Sequence, residues 1–247
     1  MKSYKRTIVA IIGMLAIIGF LAPSGVWAMK EIKIGVIYPL SGGAAAAGRE
    51  LRAGAELAAE IANNVMPDLP MTMAKNAGIK SLGGAKIKLI FKDHEGNPTL
   101  GADLAKKLIL DDKVDGILGC YHSSVTKTVS AVCEQYGIPM INGSSTSPGL
   151  TQRGFKWFWR TTPHDKWFTK DLFELLKGLS EGNVRGVSKV SKNELMNLAS
   201  ACEKTEWGSH VSGLIKDFAK EYGFKMKKSL LYAAKSADLS SEVRSLK

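Results

Sequence analysis

The sequence predicts an α/β protein, with parallel sheets flanked by helices and gathered into two lobes. Three observations predict it. Short β-branched runs alternate with stretches carrying apolar residues at helical spacing, each run ends in a polar or glycine-rich loop, and the alternation restarts after an aromatic, proline-ended segment near residue 160.

The elements follow in order. Ile32, Ile34, Val36 and Ile37 make a first strand, Ser41-Gly42-Gly43 break it, and Gly48 to Asn63 have the spacing of a helix. Residues 64–84 contain Pro67, Pro70 and a Gly-Gly pair and read as an elongated connection. Lys86 to Phe91 is a second strand, followed by the polar turn Asp93 to Pro98 and a helix from Thr99 to Asp111. Val114 to Gly119 is a third strand, Val125 to Tyr136 a helix stopped by Gly137, and Pro139 to Asn142 a fourth strand. Lys156 to Pro163 is too short and too proline-bounded for a helix and reads as an extended crossover. A second unit then begins with a helix over Lys166 to Leu179. It continues with a strand near Leu198 to Cys202, a loop from Glu203 to Gly208, a helix from Ser209 to Tyr222, a strand over Lys228 to Tyr232 and a helical start at Asp238. In open parallel sheets ligands bind beyond the carboxyl ends of the strands, so the loops at Ser41, Ser123 and Ser144 to Thr146 should share one edge.

The N-terminus has the pattern of an export signal. Lys2, Lys5 and Arg6 precede an almost wholly apolar run from Ile8 to Ala22, and Val26-Trp27-Ala28 offers small residues for cleavage after Ala28. Residues 1–28 are therefore read as a signal peptide and the remainder as periplasmic or otherwise extracytoplasmic, the alternative being an uncleaved anchor. The formal net charge of +11 is dispersed along helix-like segments, without the basic blocks interleaved with aromatics that track nucleic acid, so no nucleic-acid partner is expected. Cys120, Cys133 and Cys202 cannot all pair, which excludes a disulfide framework; a Cys120–Cys133 bridge is sterically conceivable and free thiols are the commoner state.

The chemistry is concentrated in two hydroxyl-rich loops, Ser123-Ser124 and Ser144-Ser145-Thr146. A serine at a helix start beside free N–H groups suits a carboxylate, and hydroxyls with exposed carbonyls suit an ammonium, so together they match a zwitterion; the plainer reading is that they cap helices. His122 adjoins Ser123, yet no G-x-S-x-G elbow, dinucleotide fingerprint or phosphate loop is present, and neither catalysis, a cofactor nor a metal is expected. An exported hydrolase using Ser123 is the competing class. His94, His164 and His210 lie apart and read as surface or loop residues, and Trp157, Phe158 and Trp159 as packing between lobes. Trp207, in a loop after a second-lobe strand, could cover a ligand.

The order of motifs resembles the branched-chain amino-acid-binding family of periplasmic solute receptors. The resemblance rests on Ile34 to Gly42, Gly137-Ile138-Pro139-Met140-Ile141, Ser147-Pro148-Gly149-Leu150-Thr151, Phe158 to Pro163 and Glu206-Trp207-Gly208. It implies a type I periplasmic-binding-protein-like fold of two Rossmann-like lobes, lobe 1 over residues 29–160 and a partial lobe 2 over 161–247. It further implies a hinged, non-enzymatic receptor that closes on a small amino-acid or amide ligand and presents it to a membrane permease and its ATPase. By position, Ser123 resembles the serine that binds the ligand carboxylate. Ser144 and Thr146, with Ser145 between them, fall where the family supplies a carbonyl and a hydroxyl to the α-ammonium. Trp207 resembles the aromatic that closes from the second lobe, and Asp165 a polar position on the hinge side. Ala47 stands where some relatives place a pocket-lining aromatic, which leaves room for a different ligand. The family pattern continues beyond Lys247, so the second lobe is expected to be incomplete and the usual acidic partner of the ammonium has no position; Val184 to Asn197 also departs from the expected compact strand. A ligand-sensing receptor domain and a non-functional fragment are the alternatives.

Overall fold

The computed structural model describes residues 31–246; the expected signal peptide lies outside the described residues. The first lobe runs β1 (Ile32–Tyr38), α1 (Ala45–Asn63), β2 (Ile87–Asp93), α2 (Pro98–Leu110), β3 (Gly116–Gly119), α3 (Ser123–Tyr136), β4 (Met140–Asn142) and β5 (Phe158–Arg160). The second contains α4 (Asp165–Glu181), α5 (Lys192–Leu195), β6 (Asn197–Glu203), α6 (Glu206–Glu221), β7 (Lys225–Tyr232) and α7 (Ser240–Leu246).

The five strands of the first lobe are parallel and ordered β2-β1-β3-β4-β5. From β1 the chain moves outward through α1 to β2, then returns past β1 through α2 to β3. Right-handed crossovers in opposite directions place α1 on one face and α2 with α3 on the other. Accordingly α2 packs against α3, whereas α1 lies over β1 and β2. Ile37, Leu108, Ile117, Val125, Val129, Met140 and Phe158 fill the core beneath α2 and α3. The approach of α2 is close enough that a Cβ on Gly35 would stand 2.7 Å from Leu108 Cδ1.

Two segments differ from expectation, and a third, expected to depart from a compact strand, does so. Lys156 to Pro163 contains a strand, β5, in register with β4 through Met140↔Phe158 and Ile141↔Trp159. Its alternation buries Phe158 in the first core and turns Trp157 and Trp159 outward, so this aromatic trio forms the edge of lobe 1 and is not packing between lobes. Residues 64–84 are folded back: both polar groups of the Asn63 side chain bond the backbone of Ile87, and Ala74 is fully buried. Within Val184 to Asn197, Ser191 and Glu194 form a capping box that starts α5, and the strand begins at Asn197.

The second lobe has two described strands, β6 and β7, parallel and with a register irregularity at Leu198/Ala199. Helices α4 and α6 pack together, burying Phe173, Phe218, Ala219 and Phe224 as one aromatic cluster. All three cysteines are buried free thiols. Among the described residues no helix is long and apolar enough to cross a membrane.

Candidate functional site

The carboxyl ends of β3 and β4 and the amino ends of α3, α4 and α6 meet along the seam between the lobes. Ser123 is the first residue of α3, so its peptide N–H belongs to the first turn, where intrahelical partners are lacking. Its side chain is buried, and Ser147 N–H donates to its Oγ at 3.4 Å. That link joins the two hydroxyl-rich loops directly.

Asn142, at the end of β4, holds the second loop in shape. Its Nδ2 donates to the carbonyls of Gly119 and Cys120 at 2.9 and 2.8 Å, and its Oδ1 accepts from Ser145 N–H at 2.9 Å. Ser145 is thereby turned inward: it is 1% exposed, its hydroxyl donates to the carbonyls of Cys120 and Tyr121, and Thr126 Oγ1 lies 2.6 Å away. The Ser144 hydroxyl is engaged as well, donating to Cys120 O at 2.9 Å. Thr146 is half-buried at the seam, and its carbonyl accepts from Asp165 N–H at 2.9 Å.

Asp165 opens α4, where a carboxylate also complements the helix dipole. It is buried; Oδ1 accepts from Trp207 Nε1 at 3.2 Å, while Oδ2 is enclosed without a hydrogen-bond partner. Trp207 does not sit in a loop as expected. Thr205 caps the helix by accepting from Gly208 N–H at 3.1 Å, which starts α6 at Glu206 and puts Trp207, still half-exposed, in its first turn. The start of α6 reaches the first lobe twice: Glu206 pairs with Lys127 at 2.8 Å, and His210 Nδ1 lies 3.4 Å from Ser147 Oγ. Of the six residues singled out by sequence, the structure gathers Ser123, Ser144, Thr146, Asp165 and Trp207 at the seam and places Ser145 behind it as support. Two open clefts of about 650 and 590 Å³ flank this seam and share His164 in their walls.

The surroundings set the chemistry. Burial pushes the Cys120 thiol far above its ordinary range and Cys133 up to about 12, so both remain protonated and unreactive. The Ser123 hydroxyl meets a peptide N–H, and the His122 ring stacks edge-on against His94 and Tyr121. His94, expected as a surface or loop residue, lies in the loop after β2 but is fully buried, and burial followed by the neighbouring His122 lowers its pKa to about 4. His94 directly follows β2 and His122 directly precedes α3, so both lie past the carboxyl ends of their strands.

Residues 31–247 match the periplasmic binding protein family, and the chain belongs to it. Among curated relatives, the Leu/Ile/Val-binding protein homolog 7 of Brucella suis is 29% identical over 89% of this chain and 50% of its own length. Homolog 8 of Brucella abortus is 30% identical over the same shares. The chain thus spans about half the length of the curated relatives it matches. Solved structures share the fold. A leucine-binding protein from Thermotoga maritima superposes with a TM-score of 0.69 at 20% identity, covering 87% of this chain and 53% of that one. The branched-chain amino acid transporter substrate-binding protein of Streptococcus pneumoniae, in complex with isoleucine, gives 0.66 at 22% identity over 88% and 54%. A solute-binding protein of R. palustris, in complex with 4-hydroxybenzoate, gives 0.70 at 19% over 88% and 51%.

Proposed function

We propose that this chain is the substrate-binding component of an ABC-type importer, working in the periplasm and capturing a branched-chain amino acid or a related small amino acid or amide between its lobes. The carrying observation is the polarity of the seam. One end offers the first-turn N–H groups of α3 with Ser123, suited to a carboxylate. The other offers the buried, partnerless Oδ2 of Asp165 beside Thr146 and Trp207, suited to an ammonium. A zwitterion laid between them touches residues of both lobes, so binding favours the closed arrangement over the open one by its differential contacts. The closed, loaded form is then what a membrane permease and its ATPase would receive. The isoleucine complex of the Streptococcus pneumoniae protein supports this ligand class by likeness of fold.

Calorimetric titration of the protein with a panel of amino acids, amides and aromatic acids tests the reading. Saturable binding of an amino acid or amide, weakened about tenfold or more by Ser123→Ala, is the expected outcome, about the loss of one hydrogen bond to a charged group. Binding confined to aromatic acids, or no binding by the folded protein, overturns it.

A further inference from the structure

We infer that the turn after β2 is an acid-sensitive latch between the lobes. With His94 neutral it holds the Glu95 carbonyl out to Lys235 of the second lobe, and a proton on His94 Nδ1 releases it.

The turn is built around one imidazole. His94 is fully buried, and its own N–H donates to the carbonyl of Tyr38 at the end of β1. Gly96 N–H donates to His94 Nδ1 at 2.9 Å, so the neutral ring carries its proton on Nε2 and Nδ1 must stay bare. Asp93 Oδ1 accepts from Glu95 N–H at 2.9 Å, and Asn97 N–H donates to the His94 carbonyl at 2.7 Å. These bonds keep Glu95 in the left-handed region, at φ 53°, which residues with a Cβ adopt uncommonly. They thereby fix the direction of its carbonyl.

That carbonyl meets the second lobe. Lys235, in the turn after β7, donates from Nζ to Glu95 O at 3.3 Å, and a Cβ on Gly96 would stand 3.6 Å from the same ammonium. The link joins other elements than the Lys127–Glu206 and Ser147–His210 contacts at the start of α6, so the lobes are fastened in two places.

A second proton on His94 has one place to go. Nε2 already carries one, so the new proton enters at Nδ1 and turns the acceptor of Gly96 N–H into a donor facing a donor. Turning the ring over does not restore the bond, because it sets a carbon against Gly96. The turn then loses the tie that aims Glu95, and the new charge stands on the same side as the Lys235 ammonium. Asp93 at the end of β2 favours that charge, while His122 just before α3 and Lys235 oppose it. Glu203, at the end of β6, acts in the proton's favour on His122, and Tyr38, pushed up to about 12 by burial, stays neutral. Burial outweighs the rest and lowers the pKa of His94 from 6.5 to about 4. The latched form thus excludes a proton that the released form accepts. Latching is complete above pH 6.5 and is lost as pH falls toward 4.

The latch needs no bound ligand, so it is tested apart from solute capture. Nitroxides at Lys106→Cys in α2 and Lys227→Cys in β7, two exposed positions in different lobes, report the separation by pulsed electron resonance while the native thiols stay buried. Between pH 7 and pH 4.5 the ratio of open to closed molecules should rise about tenfold or more. Adding Lys235→Met, at an exposed position outside both cores, should open the lobes at pH 7 and remove the response to acid. Adding His94→Gln, whose amide oxygen can take the Gly96 N–H and does not titrate, should keep them closed at pH 4.5. Hydrogen exchange on the unsubstituted protein at pH 4.5 should show the Gly96 amide losing protection while amides of β1 and β3 keep theirs. Separations unchanged by acid, a response that survives either Lys235→Met or His94→Gln, a Gly96 amide still protected at pH 4.5, or loss of protection across β1 and β3 together with Gly96 would overturn the latch.

Discussion

The first lobe buries its sheet between helices on both faces, whereas the described part of the second sets two strands against helices that close one side. Leu108, Val125, Val129 and Met140 in the first are each fully buried, and the core there is mainly aliphatic, drawn from α2, α3 and the strands. The second depends on a cluster of aromatic rings centred on Phe173, with Phe224 at 5.7 Å, Tyr222 at 5.8 Å and Phe218 at 6.1 Å. Helix α4 shows the difference most clearly. Phe173 and Thr169 face inward, yet Phe168, Leu172 and Leu175 follow one another at helical spacing on an exposed face. A helix apolar on two sides is designed for burial on two sides. The lesson is that the seam is held by one strongly packed wall and one wall whose order hangs on few residues.

The largest expected effect breaks the weaker wall. Phe173→Ala removes the centre of the aromatic cluster and should cost about 3–5 kcal/mol, the range for large core aromatics. Hydrogen exchange of the variant should show amides of β6 and β7 losing protection while those of β1 and β3 keep theirs. Equal loss in both sheets would mean that the two cores unfold as one unit.

Next comes a pH effect confined to the first lobe. His94 titrates near 6.5 in an unfolded chain and at about 4 when buried, so on acidification the unfolded state takes up its proton first. Stability from this group is complete above pH 6.5 and is lost as pH falls toward 4, a change of about 3 kcal/mol. Urea unfolding followed at pH 7 and pH 4.5 in the wild type and in His94→Gln should show the loss in the first and a flatter profile in the second.

These two predictions also mark what was legible in the sequence. The β-branched run of β1, the Asn97-Pro98 start of α2 and the Gly137 stop of α3 are local signals, and the elements came out within a few residues. Strand β5 was hidden because three residues flanked by aromatics carry no period; only pairing with β4 makes them a strand. The Thr205 cap and the Gly208 amide were readable as a helix start but were taken for a loop, which displaced Trp207. Ser123 and Thr146 could be placed at the sheet edge from topology alone. That Ser145 turns inward, or that His94 is buried, depends on side-chain packing from segments far apart in sequence.

Asn142→Ala tests the support behind the hydroxyl loops. It removes a donor from the carbonyls of Gly119 and Cys120, the latter still held by the Ser144 and Ser145 hydroxyls, and the acceptor from Ser145 N–H, and should cost about 2 kcal/mol, within the range for buried groups left unpaired. The loss should appear as lowered stability of the first lobe together with weakened ligand binding, because the loop carrying Thr146 loses its fixed shape. Weakened stability with intact binding would show that the loop is held from the α4 side, through Asp165 N–H on the Thr146 carbonyl.

The smallest effect lies between the walls. Lys127 is half-exposed and its partner Glu206 mostly covered, so the 2.8 Å pair linking α3 to α6 stands between a solvated ion pair and a buried one. A double-mutant cycle with Lys127→Met and Glu206→Gln should give a coupling of about 0.2–1 kcal/mol, shrinking as salt is added. Its sign matters more than its size. The pair joins the two lobes and does not face the Ser123 hydroxyl, so losing it should loosen closure and raise the ligand off-rate with little change in which ligand is preferred. Off-rates measured by stopped-flow fluorescence of Trp207 should therefore rise by the same factor for every amino acid or amide that binds. A selective change would place Lys127 or Glu206 on the ligand itself and make the α6 wall a source of specificity as well as of closure.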